Sequence, residues 1–135
     1  MLGLDVGEAR IGVAVSDPTG ALCTPLDAMR RAADGADLRR VAETARSQEA
    51  VRIVVGLPLT MEGRRGTQAQ AVLRFCGELR KVTTLPVVTW DERLTTVEAQ
   101  ARLTEAGRKP SREKGRVDSA AAALILESYL AAHRE

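Results

Sequence analysis

At 135 residues the chain suits one domain, residues 1–135, large enough to bury roughly two-thirds of its unfolded surface. Hydrophobic residues are 44%, charged residues 28% and the net charge +2, an ordinary globular balance that excludes a disordered or fibrous chain. No apolar run approaches the roughly 18 residues of a membrane span and no signal-peptide pattern opens the chain, so a cytoplasmic protein with no membrane partner is expected.

The segment 2–7 reads as a strand, 10–16 as a second and 21–28 as a weaker third. The turn residues Gly7-Glu8-Ala9 and Asp17-Pro18-Thr19-Gly20 separate them, and such short connections favour antiparallel neighbours. Helical spacing of Leu38, Val41, Ala42 and Ala45 predicts a helix over 37–49, with Asp37 near its start. The β-branched run 51–57 follows, ended by Gly56 and Pro58. A second amphipathic helix covers 68–82, a fifth strand 86–90, a third helix 97–106 capped by Thr95 or Thr96, and a fourth helix 117–133. Helical crossovers join parallel strands, usually with right-handed connections. The order β-β-β-α-β-α-β-α-α therefore predicts an α/β protein with one mixed five-stranded sheet and helices on both faces.

Three aromatic residues, Phe75, Trp90 and Tyr129, leave a core of Val, Leu, Ile and Ala and no aromatic row for stacking single-stranded bases. The one histidine, His133, reads as a solvated helix end, which argues against zinc-hydrolase and serine-hydrolase chemistry. Cys23 and Cys76 lack metal-ligand spacing and read as reduced core thiols.

Asp5 is the most informative residue. It interrupts the apolar run Met1-Leu2-Gly3-Leu4-Asp5-Val6-Gly7, and a carboxylate taken out of water needs a compensating Arg (Arg10 or Arg93), a helix terminus or a metal ion. Glu92 stands just beyond the fifth strand, where open α/β sheets gather ligand groups, and Asp118 opens the last helix. Three such carboxylates would form an oxygen cage for divalent cations. Asp91 is the alternative to Glu92, because adjacent strand residues point to opposite faces and only one of the two can face Asp5. Asp118 also suits a helix cap, a role compatible with ligation.

Arginine supplies 17 of the 20 basic residues, and guanidinium groups suit bidentate phosphate contact. The stretch 107–116 carries Arg108, Lys109, Arg112, Lys114 and Arg116 against one acid and runs directly into Asp118. It reads as a mobile surface loop for phosphate-backbone contact. A second, weaker basic loop holds Arg64 and Arg65, and Arg10 and Arg93 complete the nucleic-acid-binding candidates.

Leu4-Asp5-Val6-Gly7 with Arg10-Ile11-Gly12-Val13-Ala14-Val15-Ser16-Asp17, then Val54-Val55-Gly56-Leu57-Pro58, the stretch 91–96, and Val117-Asp118-Ser119-Ala120-Ala121-Ala122 span nearly the whole chain. In this order they resemble the YqgF/RuvX family, relatives of the RuvC Holliday-junction resolvases in the RNase H-like superfamily. The resemblance implies an RNase H-like fold and a nuclease site of Asp5, Glu92 and Asp118. It also implies phosphodiester hydrolysis with two Mg²⁺ or Mn²⁺ ions about 3.5–4 Å apart. The implied partner is structured RNA or branched DNA, through processing of the 5′ end of pre-16S rRNA, resolution of Holliday junctions, or both. Symmetric junction cleavage implies a homodimer, whereas RNA processing requires none. One departure stands out: in RuvC-like proteins the middle carboxylate ends the fourth strand, whereas here that strand ends Gly56-Leu57-Pro58. Two rival readings are a non-catalytic RNA- or DNA-binding scaffold and, from the Asp-x-Gly hairpin of residues 5–7, an actin-kinase-like nucleotide-binding module. The chain is short for the second, and ATP binding would be its signature.

Overall fold

A computed structural model describes residues 1–94 and 119–133. The strands are β1 (Leu2–Val6), β2 (Arg10–Ser16), β3 (Cys23–Arg30), β4 (Ile53–Leu57) and β5 (Val87–Asp91). The helices are α1 (Ala36–Ser47), α2 (Thr67–Leu79) and α3 (Ala120–Ala132), and Glu92–Leu94 forms a short 3₁₀ turn after β5. The expected helix over 97–106, the basic stretch 107–116 and Asp118 lie outside the described residues.

The strands form one five-stranded sheet in the order β3-β2-β1-β4-β5. β1 pairs antiparallel with β2, and β2 with β3, as their short turns require. β4 is parallel to β1 and to β5, each reached through a helical crossover. This is the mixed sheet expected from the element order. Alternation along β1 sets the two faces. Leu2 and Leu4 are fully buried with Val41 and Ala45 of α1 and Val72, Phe75 and Leu79 of α2. Gly3 faces the other way, against Leu126 and Ala122 of α3. Val54, Ile125, Leu126 and Tyr129 form the core on that face.

Several element ends differ from the sequence expectation, each for a local reason. β3 starts at Cys23 and not at residue 21, because the Asp17 carboxylate accepts the Ala21 N–H (3.0 Å) and the Thr19 hydroxyl (2.9 Å), holding that stretch as a turn. β4 starts at Ile53, leaving Val51 exposed. α1 ends two residues early, before Glu49, whose φ of 55° is incompatible with a continuing helix. His133 caps the end of α3, as expected, yet it is not simply solvated. Its ring stacks on Tyr129 at 4.0 Å, and Nδ1 donates to the Tyr129 carbonyl at 2.8 Å. Cys76 is buried on the inner face of α2 and Cys23 is half-buried toward α3. They lie on opposite sheet faces, so no disulfide joins them within one chain. Among the described residues no helix is long and apolar enough to cross a membrane.

Candidate nuclease site

The carboxyl ends of β1, β4 and β5 meet at one rim of the sheet, and the acidic candidates gather there. Asp5 is half-buried near the end of β1, opposite Gly12 of β2. Glu92 follows β5 in the 3₁₀ turn and donates a hydrogen bond to the Asp5 carboxylate. Burial pushes the Asp5 carboxyl above its usual range, an effect softened by the bond from Glu92. Glu92 is pushed up to about 7 by burial first, then by the negative charge of Asp5, by the proton it holds toward Asp5 and by the charge of Asp91. The two carboxyls are thus coupled through one hydrogen bond, and among the described residues neither forms an ion pair.

Asp91 is turned away into a different role. It is the last residue of β5 and Glu92 the first beyond it, so the two side chains diverge. Arg93 forks onto Asp91, with Nη2 2.7 Å from Oδ2 and Nε 3.1 and 3.0 Å from the two oxygens. Together with the Arg93 backbone N–H at 2.9 Å, these contacts hold the Asp91 carboxyl well below its usual range. Arg93 is therefore the partner of Asp91 and not of Asp5. Its Nη1 also reaches the Met61 carbonyl at 3.4 Å, tying the turn to the loop that presents the exposed Arg64 and Arg65. Arg10 is exposed at the start of β2. Arg108, Lys109, Arg112, Lys114 and Arg116 lie outside the described residues.

The start of α3 is fixed to the same region. The register of β2 with β3 shifts between Ile11 and Val13, and the fully buried Ser119 hydroxyl accepts the Val13 N–H at 3.0 Å. That contact anchors the residue after Asp118 one position along β2 from Gly12, the partner of Asp5.

A cleft of about 290 Å³ opens beside the acidic pair, lined by Asp5, Glu92, Glu8, Arg31, Thr67 and Gln68 among others. Concavities of about 670 and about 840 Å³ run along α1 and α2 but do not contain the pair, so size alone does not locate the chemistry. Arg31 has no part in the sequence expectation. Its Nε donates to Asp37 at 3.0 Å and its Nη1 to the Gly7 carbonyl at 2.8 Å, while the guanidinium lies 5.3 Å from the Phe75 ring centre. It braces the β1–β2 turn and brings a positive charge to the cleft. The clue in the sequence was the polar turn after Arg30-Arg31 and the acid six residues on, Asp37, legible only as a helix start.

The donors suit a hard divalent cation: two carboxyl groups raised by burial, without thiolate or imidazole beside them. Two such groups make a partial cage, and among the described residues no cluster of three His, Cys, Asp or Glu side chains completes one.

Comparison with known proteins agrees with this architecture. The RuvC of T. thermophilus in complex with a Holliday junction substrate superposes with a TM-score of 0.58 at 16% identity, covering 98% of this chain and 94% of that one. The fowlpox virus resolvase in complex with Holliday junction DNA gives 0.55 at 10% identity, covering 99% and 98%. At such identities these likenesses establish the fold, that of the RuvC-like, RNase H-like resolvases. In sequence, a protein of Desulforudis audaxviator named "Putative pre-16S rRNA nuclease" is 45% identical over 130 residues, 96% of this chain and 92% of its own length. The protein of the same name from Mycobacterium tuberculosis strain H37Rv is 48% identical over 96% of this chain and 76% of its own. The family model described as "RuvX: Holliday junction resolvase" matches residues 1–132. The chain belongs to the RuvX family.

Proposed function

We propose that the chain is a single-domain, metal-dependent nuclease of the cytoplasm that hydrolyses phosphodiester bonds in structured nucleic acid. The observation that carries this reading is the hydrogen-bonded carboxyl pair Asp5–Glu92 at the rim where the parallel strands end. Asp118 completes the ligand set in this proposal. It directly precedes Ser119, which is fixed on β2, and one peptide step spans about 3.8 Å. Bound Mg²⁺ or Mn²⁺, as a pair, would lower the pKa of the attacking water and offset the charge developing on the leaving oxygen.

The chain's own residues have distinct tasks. Asp5 and Glu92 would hold the cations as carboxylates, so cation binding would be coupled to release of the proton that the raised Glu92 carboxyl retains. Arg31, held by Asp37 and Gly7, offers a rigid cation at the cleft wall. Arg64 and Arg65, with Arg10, Arg93 and the basic residues of 107–116, supply phosphate contacts outside the cleft. No protein nucleophile is required, in keeping with Cys76 buried in the core and His133 packed on Tyr129.

The relatives' names suggest two substrates, pre-16S rRNA and the Holliday junction. Cleavage of a four-way DNA junction and of precursor rRNA, each in Mg²⁺ and in Mn²⁺, tests the proposal. Metal-dependent cleavage of either substrate supports it and identifies the substrate. Binding without turnover of both would leave a non-catalytic nucleic-acid scaffold. Native mass with and without junction decides whether a homodimer accompanies junction cleavage.

A further inference from the structure

Asp5 lies on β1 and Glu92 directly after β5, two strands that do not touch. β4 runs between β1 and β5, and strands lie about 4.8 Å apart, so Glu92 must reach across roughly two strand spacings to meet Asp5. The residue in its path is Gly56. The registers pair Leu4 with Val55 and Gly56 with Trp90, which puts Asp5, Gly56 and Trp90 in one row across the sheet, with Glu92 two residues beyond Trp90. A Cβ built on Gly56 would fall 2.9 Å from Glu92 Oε1, 3.1 Å from Glu92 Cγ and 2.4 Å from Ile125 Cδ1. Positive-φ glycines occur at 20, 35 and 63, and Gly56 is not among them, so space and not backbone conformation requires the missing side chain.

We propose that Gly56 is a positioning residue of the site: its bare Cα is the seat over which the Glu92 side chain lies to reach Asp5. This deepens, and rests on, the reading of the pair as the metal site. It also accounts for the departure from the RuvC-like pattern. A fourth strand that ends without an acid can be served by an acid from the fifth, provided the position between them carries no side chain. The rival role for Gly56 is merely to admit α3. Gly3 does so one strand away, where a Cβ would lie 2.9 Å from Leu126 Cβ and 3.0 Å from the Ala122 carbonyl, its nearest neighbours all belonging to α3. At Gly56 the two demands are separable, because Ile125→Val deletes the Cδ1 atom and leaves Glu92 as the remaining close neighbour.

The experiment compares Ile125→Val with Gly56→Ala/Ile125→Val by crystal structure, melting temperature and calorimetric titration with Mn²⁺. In the double variant α3 should stay in place and the melting temperature should remain close to that of Ile125→Val. The Glu92 carboxyl should leave hydrogen-bond reach of Asp5, and Mn²⁺ affinity should fall by about tenfold or more relative to Ile125→Val. A Glu92 still bonded to Asp5, with Mn²⁺ affinity equal to that of Ile125→Val, would overturn the proposal and leave Gly56 as a packing position for α3. If the double variant fails to fold, adding Glu92→Ala should restore folding, because the colliding side chain is gone; failure there too would overturn the seat. A wild type that binds no Mn²⁺ would sink the nuclease reading, while the crystallographic comparison would still decide the role of Gly56.

Discussion

The carboxyls of Asp5 and Glu92 share a hydrogen bond, donated by Glu92, across a strand that belongs to neither. Two acids placed this way make the metal-free protein sensitive to pH in a definite direction. Glu92 titrates near 7 in the folded chain against 4.5 for the ordinary group, so between those values the folded state holds the extra proton. Stability contributed by this group is therefore present at low pH and lost as pH rises through about 7. Asp5, also raised, acts in the same sense. Asp37 acts in the opposite sense: burial raises it, but bonds from the Ala32 N–H and Arg31 win and lower it, so its stabilisation is lost only below its ordinary value of 3.8. The α-amino group of Met1, lowered by burial, also opposes the trend, so the comparison must be between variants. Urea unfolding in a chelator should show Glu92→Gln gaining stability over the wild type from pH 5 to pH 8. A constant difference would mean that Glu92 carries no raised pKa.

Asp91 should be dispensable for chemistry. Its carboxylate is committed to Arg93, and that ion pair is partly exposed, so solvent screening leaves it little net contribution to stability. Asp91→Asn should keep metal-dependent cleavage within a few-fold of wild type and lower stability only slightly. Loss of cleavage in Asp91→Asn with retention in Glu92→Gln would reverse the two roles.

The Ser119 hydroxyl satisfies a buried strand N–H where the β2–β3 register shifts. Ser119→Ala leaves the Val13 N–H without that partner, at a cost of about 1–3 kcal/mol. Denaturant unfolding measures this loss. Because Asp118 precedes the anchor, kcat should fall while KM changes little; unchanged kcat would detach Asp118 from the site.

Much of the fold was legible because its signals are local. Turn residues separate β1, β2 and β3, and helical spacing of Leu38, Val41, Ala42 and Ala45 marks α1. Asp5 was legible as a site residue because an acid inside an apolar strand costs free energy that only a compensating group can offset. The choice between Asp91 and Glu92 was half legible. Alternation says that only one can face Asp5, but which one depends on where β5 stops, and strand ends are set by tertiary contacts. The Arg31–Asp37–Gly7 brace and the Gly56 seat were not legible at all. Both are juxtapositions of distant segments, and a glycine in a strand says that something approaches without saying what.

The stretch 107–116 should govern affinity and not stability. Neutralising Arg108, Lys109, Arg112, Lys114 and Arg116 should weaken binding to duplex-like substrates with little change in melting temperature. For every phosphate no longer neutralised, the log–log salt dependence of binding should flatten by about 0.9. An unchanged affinity and salt slope would make the stretch a solvated linker.

The most direct test of the Asp5–Glu92 pair as the core of a metal-dependent nuclease is cleavage by Asp5→Asn, Glu92→Gln and Asp118→Asn, assayed in Mg²⁺ and Mn²⁺ beside their metal-free melting temperatures. Each variant should lose cleavage, and because in the proposed site each removes like charge from one cluster, each should melt at or above the wild-type temperature. Near-wild-type cleavage by Asp5→Asn or Glu92→Gln in a folded protein would contradict the account.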